Sequence, residues 1–351
     1  MGNKYVKAML AGYALAVAYS ASAQSSVTLY GAVDSSIYYQ NKTPKNQGKT
    51  FQLLDGGMES SHFGMIGTED LGGGYRAGFK IESGFLTTNG ALGNSNGGLF
   101  GRNAYVSLDG PFGSVKAGLQ FSPFFLAVYD TDPSGFSDQA SALIPYLNNF
   151  LIAGLFSNNT VSYTTPVFGG FSGAAMFGFG GVAGNFKAGK QQSFSAKYSD
   201  HGILAEVAYF SANDATGGTA QQGRLAGLTY KWGELTVGGA FVNYKTPGST
   251  TGVKNVNVYS ASGHYWVTPA LGVFGGVYVS RDQNSSANRS ELYGLGTEYL
   301  LSKRTDLYAQ VGVVHNKGIM GTGLNSQSMN SLEGLPAGTT VGVNVGITHR
   351  F

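Results

Sequence analysis

Cysteine is absent from the 351-residue chain. In an exported protein that excludes a disulfide framework, and in any compartment it excludes thiolate metal sites. Charge is scarce: only 12% of residues are Asp, Glu, Lys or Arg. The two signs nearly cancel, with 22 Lys and Arg against 19 Asp and Glu. No basic tail or patch stands out, so nucleic acid is not an expected partner. Long apolar runs are missing as well. The richest, at 143–156 (LIPYLNNFLIAGLF), is interrupted by Pro145, Asn148 and Asn149. It falls short of the roughly 18 residues that mark a membrane-spanning helix. The histidines show no i, i+4 metal spacing and no adjacent nucleophile motif, so no metal or other cofactor is expected.

What the chain does have is glycine, 55 residues, aromatic side chains at 13%, and alternation. The clearest case is the last segment, 340–351 (TVGVNVGITHRF). Val341, Val343, Val345, Ile347, His349 and Phe351 share one face of an extended strand, and Thr340, Gly342, Asn344, Gly346, Thr348 and Arg350 share the other. A strand of that length crosses a bilayer when tilted. Apolar residues spread as alternation are what a transmembrane β-barrel requires, because a closed sheet pairs every backbone group in lipid.

The N-terminus reads as a secretory signal. Lys4 and Lys7 form a basic start, residues 9–18 an apolar stretch, and Ala21-Ser22-Ala23 a small-residue cleavage site. The expected domains are a signal peptide at 1–23 and a barrel at 24–351. Sixteen strands are predicted, at 25–40, 57–69, 74–86, 100–108, 112–120, 158–165, 171–179, 190–199, 202–211, 223–232, 234–244, 255–266, 271–280, 288–300, 305–315 and 338–351. Tight connections alternate with long ones at 41–56, 87–99, 121–157 and 316–337. That places both ends of the mature chain on the periplasmic side and the long loops outside. Aromatic residues recur near strand ends, as in the interfacial girdles of a barrel.

The faces agree along most strands. Tyr75, Ala77, Phe79, Ile81 and Phe85 alternate with Arg76, Lys80 and Glu82, so the charged set is expected in the water-filled lumen. Arg102 resists this scheme. Its parity groups it with Ala104, Val106 and Leu108, which calls for a bulge nearby or an outer part of the strand that does not face lipid.

Several segments together resemble the Gram-negative general porins of the beta-proteobacterial type. They are SSVTLYGAVD (25–34), FGMIGTEDLGGGYRAGFKIESGF (63–85), GRNAYVSL (101–108), FGSVKAGLQ (112–120), SYTTPVFGGF (162–171), LSKRTDLYA (301–309) and the terminal GITHRF. The resemblance spans the whole mature chain. It implies an all-β, sixteen-stranded trimeric barrel whose third extracellular loop folds into the lumen against a basic wall. It also implies an outer-membrane location, contact with lipid and lipopolysaccharide, and insertion by the barrel assembly machinery, with Phe351 as the insertion signal. The solutes would be ions and small hydrophilic molecules.

The third loop should be 121–157. It carries Asp130, Asp132 and Asp138, and no Lys or Arg occurs from Ala117 through Phe186. An acidic loop facing a basic wall would impose a transverse field at the constriction. Asp132-Pro133-Ser134-Gly135 is also a turn sequence, which gives Asp132 a purely structural alternative. The wall departs from the family pattern. His62, Ile66, Leu119 and Phe156 stand where relatives commonly carry arginine. The basic set is left to Arg102, Arg76, Lys80 and Lys116, with Glu82 among them and His62 as a titratable neighbour. Weak charge selectivity is therefore expected. The loop is unusually apolar, which opens a second possibility, a substrate-specific channel with an aromatic-lined constriction. An outer-membrane hydrolase and a surface protein without transport are further alternatives, but no residue motif supports either.

Overall fold

The computed structural model describes residues 26–44, 48–249, 252–326 and 334–351. The signal peptide expected at 1–23 and its expected cleavage site lie outside the described residues.

Strands account for most of the chain. They are β1 (Ser26–Gln40), β2 (Thr50–Asp55), β3 (His62–Gly72), β4 (Tyr75–Gly84), β5 (Asn103–Gly110), β6 (Gly113–Gln120), β7 (Ser157–Thr164), β8 (Phe171–Gly178) and β9 (Gln191–Asp200). There follow β10 (Ile203–Asn213), β11 (Thr219–Trp232), β12 (Leu235–Lys245), β13 (Asn255–Thr268), β14 (Leu271–Asp282), β15 (Arg289–Leu300), β16 (Thr305–Lys317) and β17 (Gly338–Arg350). Every strand pairs antiparallel with its neighbours in one sheet, and β17 returns to β1 from Ala32↔Arg350 to Gln40↔Gly342. The sheet is closed. Phe351 extends the seam, exchanging backbone hydrogen bonds with Gly31 at 3.0 and 3.1 Å.

Seventeen strand segments make a sixteen-stranded wall, because β2 and β3 are two pieces of one crossing. Both pair with β1, β2 along Ser35–Gln40 and β3 along Ser26–Ala32. The intervening residues 56–61 leave the wall. From the sequence, 41–56 is expected to be a loop and the second strand to begin at 57. The difference has a physical cause. Asp34, fully buried, accepts hydrogen bonds from the backbone N–H of Met58 (3.1 Å) and Glu59 (3.0 Å), from Thr348 (2.7 Å) and from the Tyr308 hydroxyl. A carboxylate on the inner face thus captures backbone that would otherwise continue the ladder.

Alternation sets the two surfaces. In β16, Asp306, Tyr308, Gln310, Val314 and Asn316 are buried on the inner side while Leu307 faces out. Across the barrel many large apolar side chains are exposed, including Val27, Ile37, Phe51, Val106, Phe171, Leu295 and Val345. Lipid covers such a surface at no cost in hydrogen bonds.

Candidate functional site

The segment between β6 and β7 carries two short helices, α1 (Pro123–Asp130) and α2 (Leu143–Phe150). Ser122 caps α1, accepting from the Phe125 N–H at 3.1 Å, and Pro123 occupies the first helical position, where it lacks no partner. Leu151, at φ +51°, ends α2. The apolar faces of both helices rest on inward side chains of the wall. Phe124, Tyr146, Phe150, Phe210 of β10 and Tyr244 of β12 form one ring cluster, with Phe150 and Tyr244 centroids 4.9 Å apart. Gly223 on β11 makes room for it, since a Cβ there would lie 2.4 Å from the Phe124 ring. Gly294 on β15 does the same for the Ala140 carbonyl, at 2.4 Å.

Polar contacts carry the segment on around the inner wall. Tyr278 on β14 donates to Asp132 at 3.0 Å, Ser137 donates to Gln310 on β16 at 3.1 Å, and Gln139 donates to the Gly342 carbonyl on β17 at 3.2 Å. Ser60 in the 56–61 excursion donates to Asp138 at 2.6 Å. The three aspartates expected to face the pore therefore divide. Asp130 is half-buried and pairs with Lys197 on β9 at 2.5 Å. Asp132 is buried, at 6% exposure, and is no part of the open passage, whereas Asp138, at 5% exposure, still borders the cavity beside the segment. Asp132 is a folding anchor. It also accepts from the Ser134 hydroxyl (2.7 Å) and the Ala142 N–H (2.8 Å), as its turn sequence allows. Burial pushes the Asp138 carboxyl up to about 7, with Asp34 and Asp55 adding to the shift and Arg102 and the Ser60 hydrogen bond opposing it.

The wall facing the segment's open side is built around Glu82. Its carboxylate is buried and receives Arg102 (2.8 Å), Lys80 (3.0 Å), Tyr30 (2.6 Å) and Asn103 (3.2 Å). The parity conflict at Arg102 is settled here. β5 begins only at Asn103, and Arg102 sits in the bend before it, its backbone N–H on the Glu82 carbonyl and its side chain turned to the lumen. Lys116 lies over the Tyr105 ring at 5.0 Å. Arg76 is exposed near the short-turn end, opposite Asp70 and Asp109. His62 is buried, with Nδ1 on the Ser60 carbonyl at 2.9 Å and Nε2 3.9 Å from Glu59. Leu119 falls on the outward side, opposite Ala104, while its neighbour Gln120 points in toward Thr160 and Ser162.

Four contributors escaped sequence reading. Arg350 on β17 bridges Glu59 (2.9 Å) and Asp306 (2.6 Å), and Lys197 matches Asp130. Arg350 was already on the polar face of the terminal strand, so its parity was the available signal. Glu59 had none, because the 56–61 excursion is a tertiary effect.

Between segment and wall lies a cavity of about 870 Å³. One side is apolar, with Leu126, Tyr129, Leu151 and Ile152 all exposed to it, and the other presents Arg102, Arg350 and Glu59. A closed barrel of this size, with an inner segment and paired charges on its inner wall, is the architecture of an aqueous channel.

Comparison with known proteins agrees. Residues 8–319 match the Gram-negative porin family. The chain is a Gram-negative porin. Among relatives of this porin, outer membrane porin protein 32 of Delftia acidovorans is 31% identical, over 98% of this chain and 99% of that one. An outer membrane porin protein of Bordetella pertussis is 32% identical, over 66% of this chain and 56% of its own. Among solved structures, the anion-selective porin from Comamonas acidovorans superposes with a TM-score of 0.78 at 27% identity, covering 93% of this porin and 100% of that chain. OmpT of Vibrio cholerae, in its trimer form, superposes at 0.67 with 15% identity and shares the fold. The porin is thus an outer-membrane channel protein and not an enzyme.

Proposed function

We propose that this porin is a diffusion channel for ions and small hydrophilic solutes, narrowed by residues 121–156 and only weakly selective for charge. The observation that carries the reading is pairing. Around the narrow passage Lys80 and Arg102 share Glu82, Arg350 lies between Glu59 and Asp306, and Lys197 meets Asp130. The Glu82 group keeps one positive charge, the Arg350 group one negative and the Lys197–Asp130 pair none, so the three together are neutral and leave little net charge to favour ions of one sign. At physiological salt the screening length is about 8 Å, so the remainder biases ions without excluding either sign. A similar solved porin is described as anion-selective. In this chain the same preference would need unpaired cations at the passage.

Reversal potentials in asymmetric KCl test the reading. Wild-type protein should give a small potential, and Arg102→Ala should move it toward cations by leaving Glu82 with Lys80 alone. A strongly anion-selective wild type, unchanged by that substitution, would overturn it. The apolar side of the cavity favours a second reading, a channel that binds one class of solute carrying an apolar body. Saturable conductance for such a solute would favour that reading over simple diffusion. We further propose, from membership of the family, export by the 1–23 signal, recognition of Phe351 during insertion, and assembly as a homotrimer. A monomer after extraction in mild detergent would contradict the last point.

A further inference from the structure

The cavity beside the inner segment has three chemically different sides, more than the passage of simple ions requires. The first is basic. Arg102 gives Glu82 only its Nε, at 2.8 Å, and its two terminal nitrogens bind nothing among the described residues. Lys80 already meets the other oxygen of Glu82 at 3.0 Å, so this group carries one spare positive charge. The second side is acidic. Arg350 is a single cation between two carboxylates, Glu59 and Asp306. Glu59 gives Arg350 its Oε2, while Oε1 makes no hydrogen bond among the described residues and stands 3.9 Å from His62 Nε2. Asp34 holds Glu59 in place through the backbone N–H groups of Met58 and Glu59.

The third side is apolar. Leu126 (44%), Tyr129 (53%), Leu151 (39%) and Ile152 (47%) stay exposed, although Phe124, Tyr146 and Phe150 of the same segment are buried. Apolar surface left facing water is unfavourable and gains from any apolar group that covers it. Burial raises the Tyr129 hydroxyl, with Glu59 and Asp130 adding to the shift and Arg350 opposing it, so the apolar side meets the acidic one at Tyr129.

These sides together narrow the chemistry of an occupant. A volume of about 870 Å³, mostly apolar walls and a few polar groups that fix orientation are the properties of a ligand site. A simple anion answers only Arg102, and a simple cation only Glu59. The two poles are also set apart, joined through Glu82, Tyr30 and His62. In a free amino acid both charges share one carbon. In a short peptide they stand at opposite ends, with the side chains between them.

We propose that the cavity binds short peptides with free termini and apolar side chains. The carboxylate takes the two terminal nitrogens of Arg102, a planar fork that matches it. The ammonium donates to Glu59 Oε1, and the side chains cover Leu126, Tyr129, Leu151 and Ile152. This rests on the channel reading above and gives the apolar-bodied solute of its second form a chemical class.

Single-channel current in KCl at physiological strength is recorded with increasing leucyl-leucine. Current without peptide tests the channel reading on its own. Leucyl-leucine should interrupt that current, with a blocked fraction that saturates. N-acetyl-leucyl-leucine lacks the ammonium, leucyl-leucinamide lacks the carboxylate, and glycyl-glycine lacks the apolar side chains. Each should block at least about tenfold more weakly, the change expected when a charge-assisted hydrogen bond or a buried leucine side chain is lost. E59Q should weaken block by leucyl-leucine but not by N-acetyl-leucyl-leucine, which has no ammonium for Glu59 to bind. R102Q should weaken block by leucyl-leucine but not by leucyl-leucinamide. A conducting wild type whose current leucyl-leucine leaves unbroken would overturn the proposal and leave the channel reading standing. Equal block by N-acetyl-leucyl-leucine would overturn it by assigning the cavity to apolar anions, and equal block by leucyl-leucinamide by assigning it to apolar amines. Equal block by glycyl-glycine would remove the apolar side from the site and overturn it as well. So would an E59Q variant that weakens both peptides alike, because Glu59 would then act through structure alone. Should either variant fail to insert, the peptide series on wild type carries the test.

Discussion

At the scale of single residues, the interior is governed by which charges are shared. Arg350 is the strongest case, because one guanidinium serves both Glu59 and Asp306. Arg350→Ala leaves two carboxylates without that partner, so its reversal potential should shift toward cations further than that of Arg102→Ala. An equal or smaller shift would mean that the two carboxylates do not face the ion path. Asp138 brings a pH dependence. Its folded value of about 7 lies above the ordinary 3.8, so the native state binds a proton more tightly than the unfolded chain does. Stability from this group is therefore greatest below about pH 4 and falls as pH rises toward 7. Asp138→Asn should remove that slope. Unfolding temperatures of wild type and variant, measured across pH 5 to 8 in detergent, check this, and parallel curves would count against it.

At the scale of elements, the inner segment behaves as a small hydrophobic core inside a water-filled wall. Phe124 sits at its centre, fully buried among Tyr146, Phe150, Phe210 and Tyr244. Phe124→Ala should cost about 3–5 kcal/mol of docking. The expected readout is noisier single-channel current with a raised mean, as the segment leaves the wall. Gly223→Leu should act similarly from the other side, by filling the space that the ring uses. Steady current at the wild-type level in both variants would show that other anchors hold the segment. Much of this layer was legible beforehand. The alternation of β4 and β17 marked which residues face water, and 121–157 stood out as unusually apolar. The fate of Asp132 and Asp138 was not legible, because burial depends on Tyr278 and Ser60, which lie 146 and 78 residues away. The split of the second crossing into β2 and β3 was hidden for the same reason, since Asp34 recruits Met58 and Glu59 only once the sheet exists.

At the scale of the whole molecule, closure depends on the chain's last residues. Deleting Phe351 removes two backbone hydrogen bonds to Gly31 and an aromatic group at the short-turn rim. The amount of protein reaching the outer membrane should fall, while the conductance of each inserted barrel should stay at the wild-type value. Normal membrane levels would argue against a role for this residue in insertion. The seam also sets the order of events in folding. β1 pairs with β17 across more than 300 positions of sequence, whereas the wall's other pairings join strands close in the chain. Local hairpins can form early, but the most distant pairing carries the largest loop-closure cost and belongs at the end of the process. Until then the sheet has two open edges, and open edges invite pairing with other chains. Any shortened copy lacking β17 would keep an unpaired edge on β1 indefinitely. The position of the seam thus couples completeness of the polypeptide to solubility and survival: only a chain translated to its final strand can hide both of its own edges.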